Sequence, residues 1–195
     1  MTERLRGLGV RDIVTGALTP GEEGPFVEAG FVERDRLHLL RRDLEGRLET
    51  AATGEAEIRK PRRHDWPAVV AVDARAFQPF WHLDAGGIED AGRATPASLT
   101  RVATLDDRVV GYAVHGRSGR RGYVQRLAVD PDASGHGVGT ALLLDGLGWM
   151  AERGAVEALV NTQTSNERAL SLYLRNGFVL QQEPLLVLGV RLSEP

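Results

Sequence analysis

The chain has 195 residues, 42% of them hydrophobic and 26% charged, with a net charge of -3 and no cysteine. That length holds one well-filled domain plus an appendage. The charge gives no electrostatic argument for nucleic acid, and the missing cysteines exclude disulfides, thiolate metal sites and a cysteine nucleophile. No run approaches the roughly 18 apolar residues of a membrane span, and Met1 to Val10 lacks the apolar core of a signal peptide. The expected setting is cytoplasmic, with no membrane and no nucleic acid as partner.

In chain order, residues 1–50 read as a β-α-β-β appendage, with Asp43 to Ala56 as a polar linker, and residues 55–195 as the main domain. That domain opens on Glu57-Ile58-Arg59-Lys60, a short strand ended by Pro61. Asp65 stands where it can cap the next helix, Pro67 fits its first turn, and Val69, Val70, Val72 and Phe77 supply an apolar face. A second helix is expected near Asp84 to Arg93. Leu99 to Leu105, Val109 to His115 and Tyr123 to Val129 then alternate between tight turns, as an antiparallel meander does.

After Asp130-Pro131 the period changes, and Val138 to Glu152 reads as a largely apolar helix. Gly146 and Gly148 each cost about 1 kcal/mol there against alanine, which predicts close packing at both. Val156 to Val160 reads as a buried strand. Thr164-x-x-Glu167 resembles a capping box for a helix ending at Arg175, Asn176-Gly177 stops it, and Phe178 to Gln181 and Leu185 to Val190 read as a final strand pair. The expected fold class is α/β, with a mixed, mostly antiparallel central sheet and helices on both faces.

Chemistry gathers at Leu127-Ala128-Val129-Asp130-Pro131 and Ser134-Gly135-His136-Gly137-Val138-Gly139-Thr140. Three glycines bare the backbone where a helix begins, and the unpaired amides and partial positive charge of a helix amino end suit a pyrophosphate. A glycine-rich helix start also serves merely as a tight turn. Thr140-Ala141 follows Gly139, so the lysine of a phosphate-binding P-loop is missing, and Thr140 stands where the dinucleotide fingerprint needs a small residue. The five histidines never pair at helical metal-binding spacing, so no metal is expected. Further on, Asn166 and Tyr173 are seven residues apart, two helical turns, and share one face.

Val124 to Phe178 resembles the GNAT acetyltransferases, in particular the branch of ribosomal-protein N-terminal acetyltransferases. Asn166, Ala169, Tyr173, Gly177 and Phe178 match the family's Asn-x-x-Ala-x-x-x-Tyr-x-x-x-Gly-Phe run. Gly137 and Gly139 match its loop, where Ser134 replaces the usual glutamine or arginine. The resemblance implies acetyl-CoA as co-substrate. It puts Leu127 and Val129 on the pantetheine arm, the amides of Gly135, His136, Gly137, Val138, Gly139 and Thr140 on the pyrophosphate, Asn166 on the arm or the loop, and Tyr173 beside the sulfur as proton donor to the thiolate. Asn161 replaces a glutamate that serves related enzymes as base; a water chain or His115 is left for that role. Phe77 to Pro96, with Trp81, His82 and Asp84, and the carboxyl-terminal strands are the expected acceptor walls.

The first fifty residues echo the last forty. Gly9-Val10-Arg11-Asp12-Ile13-Val14 is like Gly154-Ala155-Val156-Glu157-Ala158-Leu159. Phe26-x-x-x-Gly30-Phe31-Val32 is like Tyr173-x-x-x-Gly177-Phe178-Val179, and Leu37-His38-Leu39-Leu40 is like Leu185-Leu186-Val187-Leu188. Residues 5–44 are thus expected to be a degenerate second half of the same fold, with Phe26 lacking the tyrosine hydroxyl. Functional readings are an N-acetyltransferase acting on a primary amine, small molecule or peptide amino terminus, by direct transfer; a non-catalytic coenzyme A-binding sensor or partner-binding module; and an oligomerising scaffold. A homodimer is compatible with each.

Overall fold

In a computed structural model, residues 10–45 and 55–192 are described. In chain order they form β1 (Asp12–Val14), α1 (Gly24–Glu28), β2 (Val32–Asp43), β3 (Glu57–Arg59), α2 (Trp66–Ala76), α3 (Ala85–Arg93), β4 (Ala97–Leu105), β5 (Arg108–Ser118), β6 (Arg121–Val129), α4 (Val138–Glu152), β7 (Glu157–Gln163), α5 (Glu167–Arg175), β8 (Val179–Leu180) and β9 (Leu185–Arg191). The chain divides into two compact units: residues 41–160 with 175–178, and the remainder.

In the larger unit the strand order is β7-β6-β5-β4-β3, with β6 and β7 parallel and the other neighbours antiparallel. Asp106 and Asp107 at φ 45 and 58 make the tight β4–β5 turn, the left-handed pair a two-residue hairpin requires. Alternation along β5, broken by a bulge at Val110, supplies two cores. Tyr112 and Val114 meet Val69 and Val72 of α2 and Ile88 of α3 on one face. Val110 and Ala113 meet Val138 and Leu142 of α4 on the other. Helices therefore cover both faces, as the patterning predicts.

Some local expectations change. Asp65 makes no side-chain cap to α2; its carboxylate takes two hydrogen bonds from Arg59, at 2.7 and 3.0 Å, and one from the Arg62 N–H. A bidentate guanidinium outcompetes a single capping amide. Gly146 does mark close packing, since a Cβ there would overlap the His115 ring, but Gly148 has nothing within 4 Å.

In the smaller unit β9 pairs antiparallel with β1 and with β2, and β8 pairs with β2. In place of the expected pairing of 178–181 with 185–190, both segments pair with β2: β9 along Val32 to Leu37, and β8 further along, where the Gln181 N–H donates to the Leu39 carbonyl. β2 is also one continuous strand of 12 residues, so Leu37-His38-Leu39-Leu40 is its interior, with Leu37 and Leu40 buried, and not a separate strand. Within 12–43 the order is strand, short helix, Gly30 at φ 85, strand. Of the expected linker, Asp43 belongs to β2, Leu44 is buried and donates its N–H to the Val156 carbonyl, and residues 46–54 lie outside the described residues.

Candidate active site

The β6–β7 ladder runs from Arg121↔Glu157 to Val124↔Val160 and stops, whereas β6 stays paired to β5 as far as Val129↔Gly111. The Asp130 N–H donates to the Val110 carbonyl at 2.8 Å. Backbone groups alternate in direction along a strand. Ala128 therefore shares the β5-facing edge with Asp130, and Val129 and Leu127 present their N–H and C=O groups to the other edge. That edge has no ladder partner among the described residues. The two backbones singled out in the sequence lie side by side there.

The strand leads into a braced turn. The Asp130 carboxylate accepts the Asp132 N–H at 2.9 Å and pairs with Arg75 of α2 at 3.1 Å. Ser134 folds back, its hydroxyl donating to the Asp130 carbonyl at 3.4 Å. Gly135 and Gly137 then take φ of 88 and 74, left-handed values that L side chains resist. Gly137 is the N-cap of α4 and provides no side chain, and Ala141 N–H is the first helical donor, to the Gly137 carbonyl. The amides of Val138, Gly139 and Thr140 thus precede the helical ladder and sit at the positive end of a 15-residue helix. Around Gly135 the space is open, with no atom within 4 Å of a Cβ built there. A side-chain-free concavity of this kind, fed by a strand edge, fits an extended arm ending in a pyrophosphate.

In the smaller unit, the Asn166 carbonyl accepts the Leu170 N–H, and its side-chain oxygen accepts the Ala169 N–H at 3.0 Å. Asn166, and not Thr164, is therefore the cap of α5. Tyr173, two turns on, is the one buried residue of α5. Burial pushes its phenol above the ordinary value, so it is neutral at pH 7 and retains a proton to donate.

His115 is fully enclosed under α4, with Nε2 3.2 Å from the Leu142 carbonyl. Burial lowers its pKa to about 4, and a sealed imidazole cannot collect a proton from an incoming amine. His115 is a core residue. On the opposite face the segment between α2 and α3 carries Phe80, half exposed, edge-on to Trp81 at 5.0 Å. His82 Nε2 lies 2.9 Å from the Phe77 carbonyl, and Asp84 caps α3 through the Gly87 N–H at 2.8 Å.

Two polar residues beneath this segment escaped the sequence reading. Asp73, fully buried, accepts from the Tyr112 hydroxyl, the Leu83 N–H and both Nε and Nη2 of Arg126. A lone carboxylate inside the apolar run Val69 to Ala76 was the available signal. Among the described residues no cluster of metal-ligating side chains occurs, and no helix is long and apolar enough to cross a membrane.

The profile of the Acetyltransferase (GNAT) family matches residues 63–178. A mycothiol acetyltransferase of Saccharomonospora viridis is 32% identical over 158 residues, 66% of this chain and 51% of that protein; the chain spans about half the length of this relative. A GCN5-related N-acetyltransferase from Sphaerobacter thermophilus superposes with a TM-score of 0.69 at 16% identity, covering 98% of this chain and 64% of that one. The PaiA N-acetyltransferase from Thermoplasma acidophilum, in complex with coenzyme A, superposes with a TM-score of 0.59 at 17% identity, covering 70% and 98%. With more than half of its length matched, including the unpaired strand edge and the amide-lined turn, the chain belongs to the GNAT acetyltransferase family.

Proposed function

We propose that the chain transfers an acetyl group from acetyl-CoA to a primary amine, directly and without a covalent enzyme intermediate, in the cytoplasm. The observation that carries this reading is the free edge at Leu127 and Val129 running into the bare turn 135–140. In this reading the strand edge takes the pantetheine arm as a further strand would be taken. The Val129 amide polarises the thioester carbonyl as negative charge builds on oxygen. The amides of Gly135, His136, Gly137, Val138, Gly139 and Thr140 hold the pyrophosphate, and Asn166 orders the arm. Tyr173 donates its proton to the departing thiolate, since a phenol remains neutral at pH 7 where a carboxylate does not. With Asn161 unable to act as base and His115 sealed, the amine's proton leaves through water.

The mycothiol acetyltransferase relatives support an acceptor of their kind, so the test amines include the one those enzymes acetylate. Release of free thiol from acetyl-CoA, followed across small amines and peptide amino termini, should select one acceptor class. Tyr173→Phe should lower kcat by about 100-fold or more while leaving coenzyme affinity within about twofold. Equal turnover by that variant would remove the assigned proton donor. Coenzyme binding without turnover on any amine would favour the sensor reading, which Asn161 keeps open.

We also infer that residues 5–44, described from residue 10 onward, are a degenerate copy of the second half of the fold. Gly30 at φ 85 after α1 and Gly177 at φ 76 after α5 support it. Such a repeat holds no coenzyme, so Phe26→Ala should leave acetyl-CoA affinity unchanged, and a tenfold loss of affinity, about 1.4 kcal/mol, would refute it.

A further inference from the structure

We propose that Gln125 and Arg126 are positioning residues that fasten the acceptor-side segment 77–95 to the strand edge used by the coenzyme; this rests on the acetyl-transfer reading. The β5–β6 register passes from Val114↔Arg126 to His115↔Val124, so Gln125 is an extra residue in the ladder. Ordinary alternation would send neighbouring side chains to opposite faces, and a bulge turns two consecutive ones to the same face. Arg126 accordingly reaches α2, and Gln125 reaches Thr95 just after α3, its Nε2 lying 3.4 Å from the threonine hydroxyl. The bulge falls at Gln125, just past the end of the β6–β7 ladder at Val124 and two residues before Leu127.

Both ends of the segment are held by these two residues. Arg126 donates Nη2 to the Trp81 carbonyl at 2.6 Å, places its Nε and Nη2 2.8 Å from the two Asp73 oxygens, and lies 3.5 Å over the Phe77 ring. Asp73 in turn accepts the Leu83 N–H at 2.7 Å. Between Phe77 and Asp84 the segment has one short 3-10 turn, Pro79–Trp81, and no longer element, so its order depends on these external bonds. A buried ion pair serving the core alone is replaceable by apolar groups at little cost. This one instead spends its donors on a loop carbonyl and an aromatic face, which sets the aromatic wall at a fixed height above the adjacent strand edge. The ligand class it fits is an amine carrying an apolar or flat ring within reach of Phe80 and Trp81.

The test uses the full chain with Trp66→Phe and Trp149→Phe, leaving Trp81 as the one tryptophan, excited apart from the tyrosines. Into this parent go Arg126→Lys, which keeps charge but loses the fork, Thr95→Val at the second anchor, and Arg126→Met with Asp73→Asn, which leaves no buried unpaired charge. In the Arg126 variants acrylamide quenching of Trp81 should rise about twofold or more, with acetyl-CoA affinity within about twofold of the parent. On acetyl transfer to 2-phenylethylamine, KM for the amine should rise about tenfold with kcat changed less than about threefold, and Thr95→Val should show a smaller change in the same direction. Unchanged quenching in all three variants overturns the proposal, as does a loss of coenzyme affinity with unchanged amine KM. Should the parent not acetylate this amine, quenching and coenzyme affinity decide. A parent that binds no acetyl-CoA refutes the acetyl-transfer reading itself, a result visible before any anchor variant is made.

Discussion

Gly146→Ala and Gly148→Ala, two residues apart on α4, should change stability in opposite directions. An ideal Cβ on Gly146 overlaps Cε1 and Nε2 of His115 and stands 2.5 Å from its Cδ2, against a comfortable carbon separation of about 3.5–4.0 Å. The ring is fully buried and bonded to the Leu142 carbonyl, so it has nowhere to retreat. Overpacking of this kind costs about 1–3 kcal/mol, and displacing the histidine bond adds about 1 kcal/mol. The gain in helix propensity returns about 1 kcal/mol, which leaves a net loss of roughly 1–3 kcal/mol. Gly148 meets nothing within 4 Å, so alanine there keeps the propensity gain, up to about 1 kcal/mol. For a chain of this size each kcal/mol moves Tm by about 2–4 °C. Thermal unfolding by circular dichroism, with urea midpoints as a check, should place Gly146→Ala below and Gly148→Ala above the unmodified chain. A Gly146→Ala protein at or above the parent Tm would refute the packing argument. Adding His115→Ala to Gly146→Ala should recover part of the loss, with a coupling of about 1 kcal/mol or more.

Three more outcomes are expected. His115, held at about 4 by burial, stays neutral in the fold while the unfolded chain takes a proton near pH 6.5. Its contribution is complete above that pH and is lost as pH falls toward 4. Asp65, held at about 2 chiefly by the Arg59 hydrogen bond, adds a second loss below about pH 4. Urea midpoints from pH 7 to 3 should therefore fall in two legs, and His115→Gln should flatten the first; a first leg that persists in the variant would contradict the assignment. Gly137→Ala forces an L residue to φ 74, which should cost about 1–2 kcal/mol and weaken acetyl-CoA binding in calorimetry, whereas undiminished affinity would mean the turn does not hold the pyrophosphate. Acetyl-CoA at a hundred times its Kd should stabilise the chain by about 2.7 kcal/mol, and no shift in Tm at millimolar coenzyme would remove the binding site.

The bare turn and its strand were legible because glycine spacing and a change of hydrophobic period are local properties. The glycine turn from Gly135 to Thr140 stood out from its own neighbourhood, whereas Leu127 and Val129 were named through the family resemblance; the α4 boundaries, Val138 to Glu152, were read correctly. Errors arose where several partners compete for one group. Asp65 had a helix to cap within reach, but Arg59 is a stronger partner for a carboxylate. Thr164 fitted a capping box, yet the helix starts at the cap Asn166 provides. The final strand pair gave way because β2, from far earlier in the chain, takes both members as its own partners, and sequence spacing is blind to a strand that arrives from elsewhere.

The sequence by itself determined the periodicities, the turns and the family, since these depend on residues close in the chain and on matched spacing. Only the tertiary structure decided which of two helical glycines lies against a ring, that His115 is sealed, that Arg126 pairs with the buried Asp73, and that Gln125 reaches Thr95. Those facts arise from contacts across 27 to 53 residues of chain, and which distant side chains share a cavity is fixed by packing as a whole and not by any local rule.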